Sequence, residues 1–270
     1  MVAHAEFINP MWSALRRLSL GLVLIVLASG ILLLSNWSRR SPQAHKVPQA
    51  ALLQHVSVAL VDEGVQGIVD GLAANGFLDG KTILICKFNA EGDITVANAI
   101  AREMVTGDYD LLLTASTISL QTGANANRGG KKVQVFGITS DPPGAGVGIS
   151  RENPLDHPRN LVGVGSFLPV AELFALAREM YPQLNTVGVA WNPAEANSEA
   201  YVRDARLACK KLGINLLETP VENSAGVREA TDALVSRGVQ ALWVSSDVTV
   251  SVALQSVLAS AQKGRIPVSR

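Results

Sequence analysis

Four short polar clusters hold the residue types that could grip a small ligand. Ser116 and Thr117 follow Ala115, and Ser140 and Asp141 lie between Thr139 and Pro142. Asn192, Glu195, Asn197 and Ser198 crowd into 192–198, and Asp247 and Thr249 close the run 245–249. Three of the four clusters run directly into a segment with helical spacing. A helix start leaves its first backbone N–H groups unpaired and presents about half a positive charge, so each could hold a carboxylate. The hydroxyls of Ser116, Thr117, Ser198 and Thr249 add donors, and of the three acids in the clusters, Asp141, Glu195 and Asp247, either Asp141 or Asp247 could face a ligand ammonium group. Ser, Thr, Asp and Asn are also the ordinary helix N-caps, worth about 1 kcal/mol each in that role alone. Four clusters gathered at one edge favour a binding cleft over four independent caps.

Spacing for catalysis is missing. His4, His45, His55 and His157 are scattered, with no H-E-x-x-H pair. Gly144, Gly146 and Gly148 resemble half of a dinucleotide fingerprint, but Ser150 to Pro154 follow in place of a helix. There is no P-loop lysine, and 114–118 lacks the G-x-S-x-G elbow of hydrolases. Cys86 sits in a strand-like run and Cys209 on a helix, neither with a metal-ligand neighbour, so both read as buried thiols. No enzyme activity, cofactor or metal is expected.

The elements that must position the clusters alternate between short apolar runs and longer helical patterns, the signature of parallel sheets with crossover helices. In the first series, strands are expected at 56–60, 81–86, 111–114 and 133–138, with a further strand at 161–165. Helices are expected at 64–75, closed by Gly76, at 94–104 behind the N-cap Asp93, and at 118–125. The second series places helices at 170–181, 198–212, 226–237 and 249–263 between strands at 186–191, 214–218 and 240–244, and a last strand starts at 266. The expected fold class is therefore α/β with two open, Rossmann-like parallel-sheet lobes. In such sheets ligands bind outside the carboxyl ends of the strands, which is where the four clusters fall.

The 270 residues are 48% hydrophobic and carry 23 Lys and Arg against 23 Asp and Glu, a balance that gives no electrostatic case for nucleic acid. The dense basic pairs, Arg16-Arg17 and Arg39-Arg40, flank an uncharged apolar segment at 18–34 with Trp12 and Trp37 near its ends. At ~1.5 Å per residue it covers roughly 25 Å of a hydrocarbon core about 30 Å thick, so it reads as one N-terminal transmembrane helix. A cleaved signal peptide is the rival reading, given Ala28, Ser29 and Gly30. The expected division is an anchor or signal segment at 1–40, a linker at 41–54, a first lobe at 55–164 and a second lobe at 165–270.

These clusters, in this order, resemble the substrate-binding proteins of ABC transporters, specifically the tryptophan- and tyrosine-type amino-acid binders. The segment 71–80 (GLAANGFLDG) is similar to the family's D-G-L-x-x-x-G-Y-x-x-G, and 90–93 (AEGD) stands ahead of a helix as in the family. Ser140-Asp141-Pro142 with Gly144-Ala145-Gly146 resembles T-D-P-V-G-A-G, 192–198 (NPAEANS) resembles N-P-G-E-A-N-S, and 246–249 (SDVT) resembles T-D-N-T. The resemblance implies a periplasmic-binding-protein clamshell that closes on a small ligand, such as an aromatic or apolar amino acid, and delivers it to an ABC permease. It implies Thr117, Ser140, Asp141, Asn192, Asn197, Ser198, Asp247 and Thr249 as ligand-facing residues. Location on the outer side of a bacterial cytoplasmic membrane follows, or in the periplasm if the N-terminal segment is cleaved. The family continues beyond the strand at 266–268, so the second lobe is expected to be incomplete. A membrane-anchored sensory domain signalling through a partner is the alternative.

Overall fold

A computed structural model of the chain describes Ser19 and residues 23–31 and 47–270. Residues 23–31 are helical, and among the described residues no helix is long and apolar enough to cross a membrane. Part of the apolar segment at 18–34, its flanking arginines and both tryptophans lie outside the described residues. Residues 47–270 form one compact unit.

That unit is built on two all-parallel sheets. The first contains β1 (Gln49–Gln54), β2 (Leu84–Asn89), β3 (Leu111–Ala115), β4 (Val133–Thr139) and β5 (Leu161–Gly165). Its crossover helices are α1 (Ala59–Ala74), α2 (Ile94–Thr106) and α3 (Thr117–Ala126), and its strand order is β2-β1-β3-β4-β5. After α4 (Val170–Met180) come β6 (Thr186–Trp191), α5 (Ala196–Leu212), β7 (Asn215–Pro220) and α6 (Val227–Ser236). The chain then runs through β8 (Ala241–Trp243), α7 (Val248–Val252), α8 (Leu254–Gly264) and β9 (Val268–Ser269). The second sheet has the order β7-β6-β8-β9.

Central parallel strands are covered on both faces, which requires continuous apolar runs. β1 meets this requirement with Ala50, Ala51, Leu52 and Leu53. Ala50 and Leu52 pack under α1 with Val61, Val65 and Leu113, whereas Ala51 and Leu53 face α2 with Ala97, Ala101 and Met104. Successive residues of the strand thus serve opposite faces, as the pleat demands. In the second sheet Val187, Val189 and Trp191 pack with Phe174, Tyr201 and Val202, while Ala190, Leu242 and Val244 pack with Val227, Leu234 and Val257. A fully buried Val, Leu or Phe side chain contributes about 1.5–3 kcal/mol.

Two expectations are corrected. The first strand is Gln49–Gln54, inside the stretch expected as a linker, and the run at 56–60 is instead a loop and the first turn of α1. The reason is pairing. The apolar residues at 50–53 hydrogen-bond between β2 and β3, with Leu53 opposite Phe88 and Thr114, whereas Ser57 interrupts the later run. The helix expected at 249–263 is two helices, α7 and α8, that meet at Ala253. Asp93 caps α2 as expected, accepting from Thr95 N at 2.6 Å and Val96 N at 3.2 Å.

Candidate functional site

The loops after the carboxyl ends of the strands of both sheets line one cleft. Its first compartment, a cavity of about 410 Å³, takes Ser116, Thr117, Ile138 and Ser140 from the first sheet and Asn197 and Tyr201 from the second. A second compartment of about 730 Å³ takes His55, Glu91 and Gln121 from the first and Asn192, Glu195 and Thr249 from the second. Ile118 and Val248 line both, so the compartments are contiguous.

The first-sheet wall carries local backbone strain. β3 ends at buried Ala115 and α3 starts at Thr117, leaving Ser116 alone to turn the chain, at φ 129° and ψ 164°, a region that favours glycine. Its Oγ accepts from Ser119 N at 3.1 Å and so caps α3. Ile138 sits at φ 54° beside a register shift in β4, unusual for a β-branched residue. The shift turns its side chain onto α1, where Gly64 leaves room: a Cβ there would fall 2.1 Å from Ile138 Cδ1.

The second-sheet wall is a buried carboxylate network. Asp247 is fully buried at the start of α7. One oxygen accepts from Val250 N at 2.6 Å, and the other accepts from Ser198 Oγ at 2.9 Å, Ser245 Oγ at 3.1 Å and Asn192 N at 3.3 Å. Burial, with the Glu195 charge beside it, pushes the Asp247 carboxyl up to about 6 despite those donors. Glu195 accepts from Val248 N at 2.7 Å, Thr249 N at 3.0 Å and Thr249 Oγ1 at 2.7 Å. Asn192 donates to Thr249 Oγ1 at 2.9 Å and accepts from Ala194 N at 2.9 Å. Asn197 donates to Ser246 O at 2.6 Å, while its buried Oδ1 has no hydrogen-bond partner.

The ten residues expected at the site therefore separate. Ser116, Thr117, Ser140 and Asn197 line the first compartment, and Asn192, Glu195 and Thr249 line the second. Asp141, Ser198 and Asp247 line neither compartment. Ser198 and Asp247 point into the lobe and hydrogen-bond each other. Asp141 is buried against Arg151 Nη2 at 2.6 Å and accepts from Gly144 N at 3.2 Å, with Arg203 Nη2 of α5 at 3.6 Å. Burial pushes its carboxyl up, but the Arg151 hydrogen bond, the Gly144 N–H and the two guanidinium charges outweigh that and hold it below its ordinary value.

Several lining residues carried a signal that sequence reasoning missed. His55, Glu91 and Glu222 follow the ends of β1, β2 and β7, so the strand-end rule covers all three once β1 and β2 are correctly placed. Tyr201 lies one helical turn after Asn197 on the same face of α5. Its ring stacks on Phe167 at 4.5 Å, and its hydroxyl accepts from Leu168 N at 3.2 Å, which fixes the crossover between the sheets against α5. Burial pushes the His55 imidazole down against the opposing Asp93 charge, so it is neutral at pH 7.

Residues 49–269 match the family described as ABC transporter substrate binding protein. The chain is similar to the tyrosine-binding protein of Clostridioides difficile strain R20291, 27% identical over 233 residues that cover 86% of this chain and 65% of that relative. It thus spans about two thirds of the length of that curated relative. Among solved structures it is similar to an ABC domain from Streptococcus pneumonia in complex with L-Trp, at 25% identity and a TM-score of 0.76 over 82% of this chain and 72% of the other. It is also similar to the ligand-free, open structure of a substrate binding protein with adhesive properties from Clostridium difficile, at 29% identity and a TM-score of 0.58 over 82% and 73%. The match covers both sheets and every loop that lines the cleft, and the chain belongs to the ABC transporter substrate binding protein family, whose members bind solutes and are not enzymes.

Proposed function

We propose that this chain is the extracytoplasmic solute-binding component of an ABC importer and holds a small ligand, such as an amino acid, between its two sheets. The observation that carries the reading is the cleft itself, in which the strand-end loops of both sheets meet around a buried Asn197 Oδ1 that lacks a donor. In this reading the first N–H groups of α3 and the hydroxyls of Thr117 and Ser140 take the ligand carboxylate. Asn197 Oδ1 accepts from its ammonium group, and Leu60, Ile138 and Tyr201 surround an apolar side chain. The better superposition on the L-Trp complex than on the open, ligand-free structure, despite the lower identity, supports a ligand-ready arrangement of the lobes.

Thermal unfolding of the purified protein with a panel that includes L-tyrosine, L-tryptophan, L-phenylalanine and L-leucine tests the reading. Ligand at a hundred times its Kd stabilises by about 2.7 kcal/mol, and a flat response of folded protein to every amino acid overturns the assignment. The permease is the proposed partner, checked by ligand-dependent co-purification. The apolar segment at 18–34 is proposed as anchor or export signal, and retention of the full-length chain in alkali-washed membranes separates the two.

A further inference from the structure

The charge of the cleft narrows the ligand class. Glu63 lines the first compartment and Glu91, Glu195 and Glu222 line the second, while among the described residues no Lys or Arg lines either. Nearby guanidinium groups are engaged elsewhere: Arg151 and Arg203 face Asp141, and Arg206 binds Glu218 at 2.8 Å through two nitrogens. Glu195 is held in place by three donors of its own lobe, so its charge stays at the cleft wall. Asn197 Oδ1, in a side chain only 6% exposed, is an acceptor with no protein donor and calls for an N–H or O–H from the ligand. A ligand carboxylate would meet hydroxyls and the partial charge of a helix start but no cationic side chain, whereas an ammonium group enters a cleft whose two compartments carry four carboxylates between low-dielectric walls, where such fields are focused.

Resting on the receptor reading above, we propose that the ammonium group is the required recognition element and the carboxylate is dispensable, so that the cleft takes cationic amines on an apolar body at least as well as the parent amino acids. Glu91 and Glu222 are exposed loop residues that supply part of this field, and neither carboxylate takes part in the hydrogen bonds and ion pairs that hold the lobes described above.

Titration calorimetry of the whole protein with two matched sets of probes tests this. One set is L-tyrosine, tyramine and 3-(4-hydroxyphenyl)propionate, and the other is L-leucine, 3-methylbutylamine and 4-methylpentanoate. In the set whose amino acid binds, the amine is expected to bind within about tenfold of the amino acid or more tightly, and the desamino acid at least about a hundredfold more weakly. Raising the salt from about 10 mM to about 500 mM weakens the amine most. The double variant Glu91→Gln/Glu222→Gln loses about tenfold in amine affinity while keeping its melting temperature. A desamino acid that binds as well as the amino acid, an amine that does not bind, or a double variant with unchanged amine affinity overturns the inference and leaves the receptor reading intact. Failure of every amino acid, amine and acid to bind overturns both.

Discussion

Among single residues, Asp247 changes role most between sequence and structure. Its position in the 245–249 cluster suggested a partner for a ligand ammonium, but four protein donors occupy its oxygens and no part of the residue is exposed. It organises the wall on which Asn192 and Glu195 stand. The unfolded carboxyl titrates near 3.8 and the folded one at about 6, so the folded state holds the proton more tightly. Its contribution to stability is therefore most favourable below pH 3.8, falls as the pH rises toward 6, and is constant above that. Urea unfolding from pH 4 to pH 8 should show this fall in the natural protein and a flatter profile in Asp247→Asn, which keeps the shape but cannot ionise. Equal slopes in the two proteins would contradict the assignment.

Between elements, the site depends on close approach of α1 to the irregular end of β4. Gly64 and Ile138 interlock so tightly that a methyl group at 64 collides with Ile138 Cδ1 and Cγ1, at 2.1 and 2.7 Å. Gly64→Ala should therefore push Ile138 toward the first compartment. The expected cost is about 1–3 kcal/mol of stability in urea unfolding, together with loss of affinity for the bulkiest ligand that the natural protein binds. Unchanged values of both would show that Ile138 swings aside freely. The starts of α2, α3 and α7 were legible in the sequence, because Asp93 and the residues near 116 and 247 are N-cap types placed shortly after strand-like apolar runs. β1 was not, because two apolar runs, 50–53 and 56–60, follow closely on one another and only pairing with both β2 and β3 distinguishes them.

Across the whole described unit, the two lobes touch through charge as well as through the cleft. Asp141 belongs to the loop after β4, and Arg203 to α5 of the other lobe. On the proposed clamshell reading, opening the cleft separates this pair and leaves Asp141 with Arg151 of its own lobe. Because the Arg203 side chain is 46% exposed, solvent screens the interaction, and Arg203→Met should weaken ligand binding by no more than about threefold, with the effect vanishing at high salt. Calorimetric Kd values at two ionic strengths check this, and a tenfold loss would mean that the pair does more than bias closure.

Two units of parallel sheet, and the loops that stand at their strand ends, could be read from the residues alone. Strands buried on both faces need uninterrupted apolar residues, and helix starts need side chains that cap them, so both leave a local record. Which polar side chains face the cleft became visible only in the folded molecule. Asp247 meets Asn192 and Ser198 across separations of 55 and 49 residues, and Glu195 meets Thr249 across 54. The direction of a side chain at such a junction is set by the packing of distant elements, and spacing along the chain carries no trace of it.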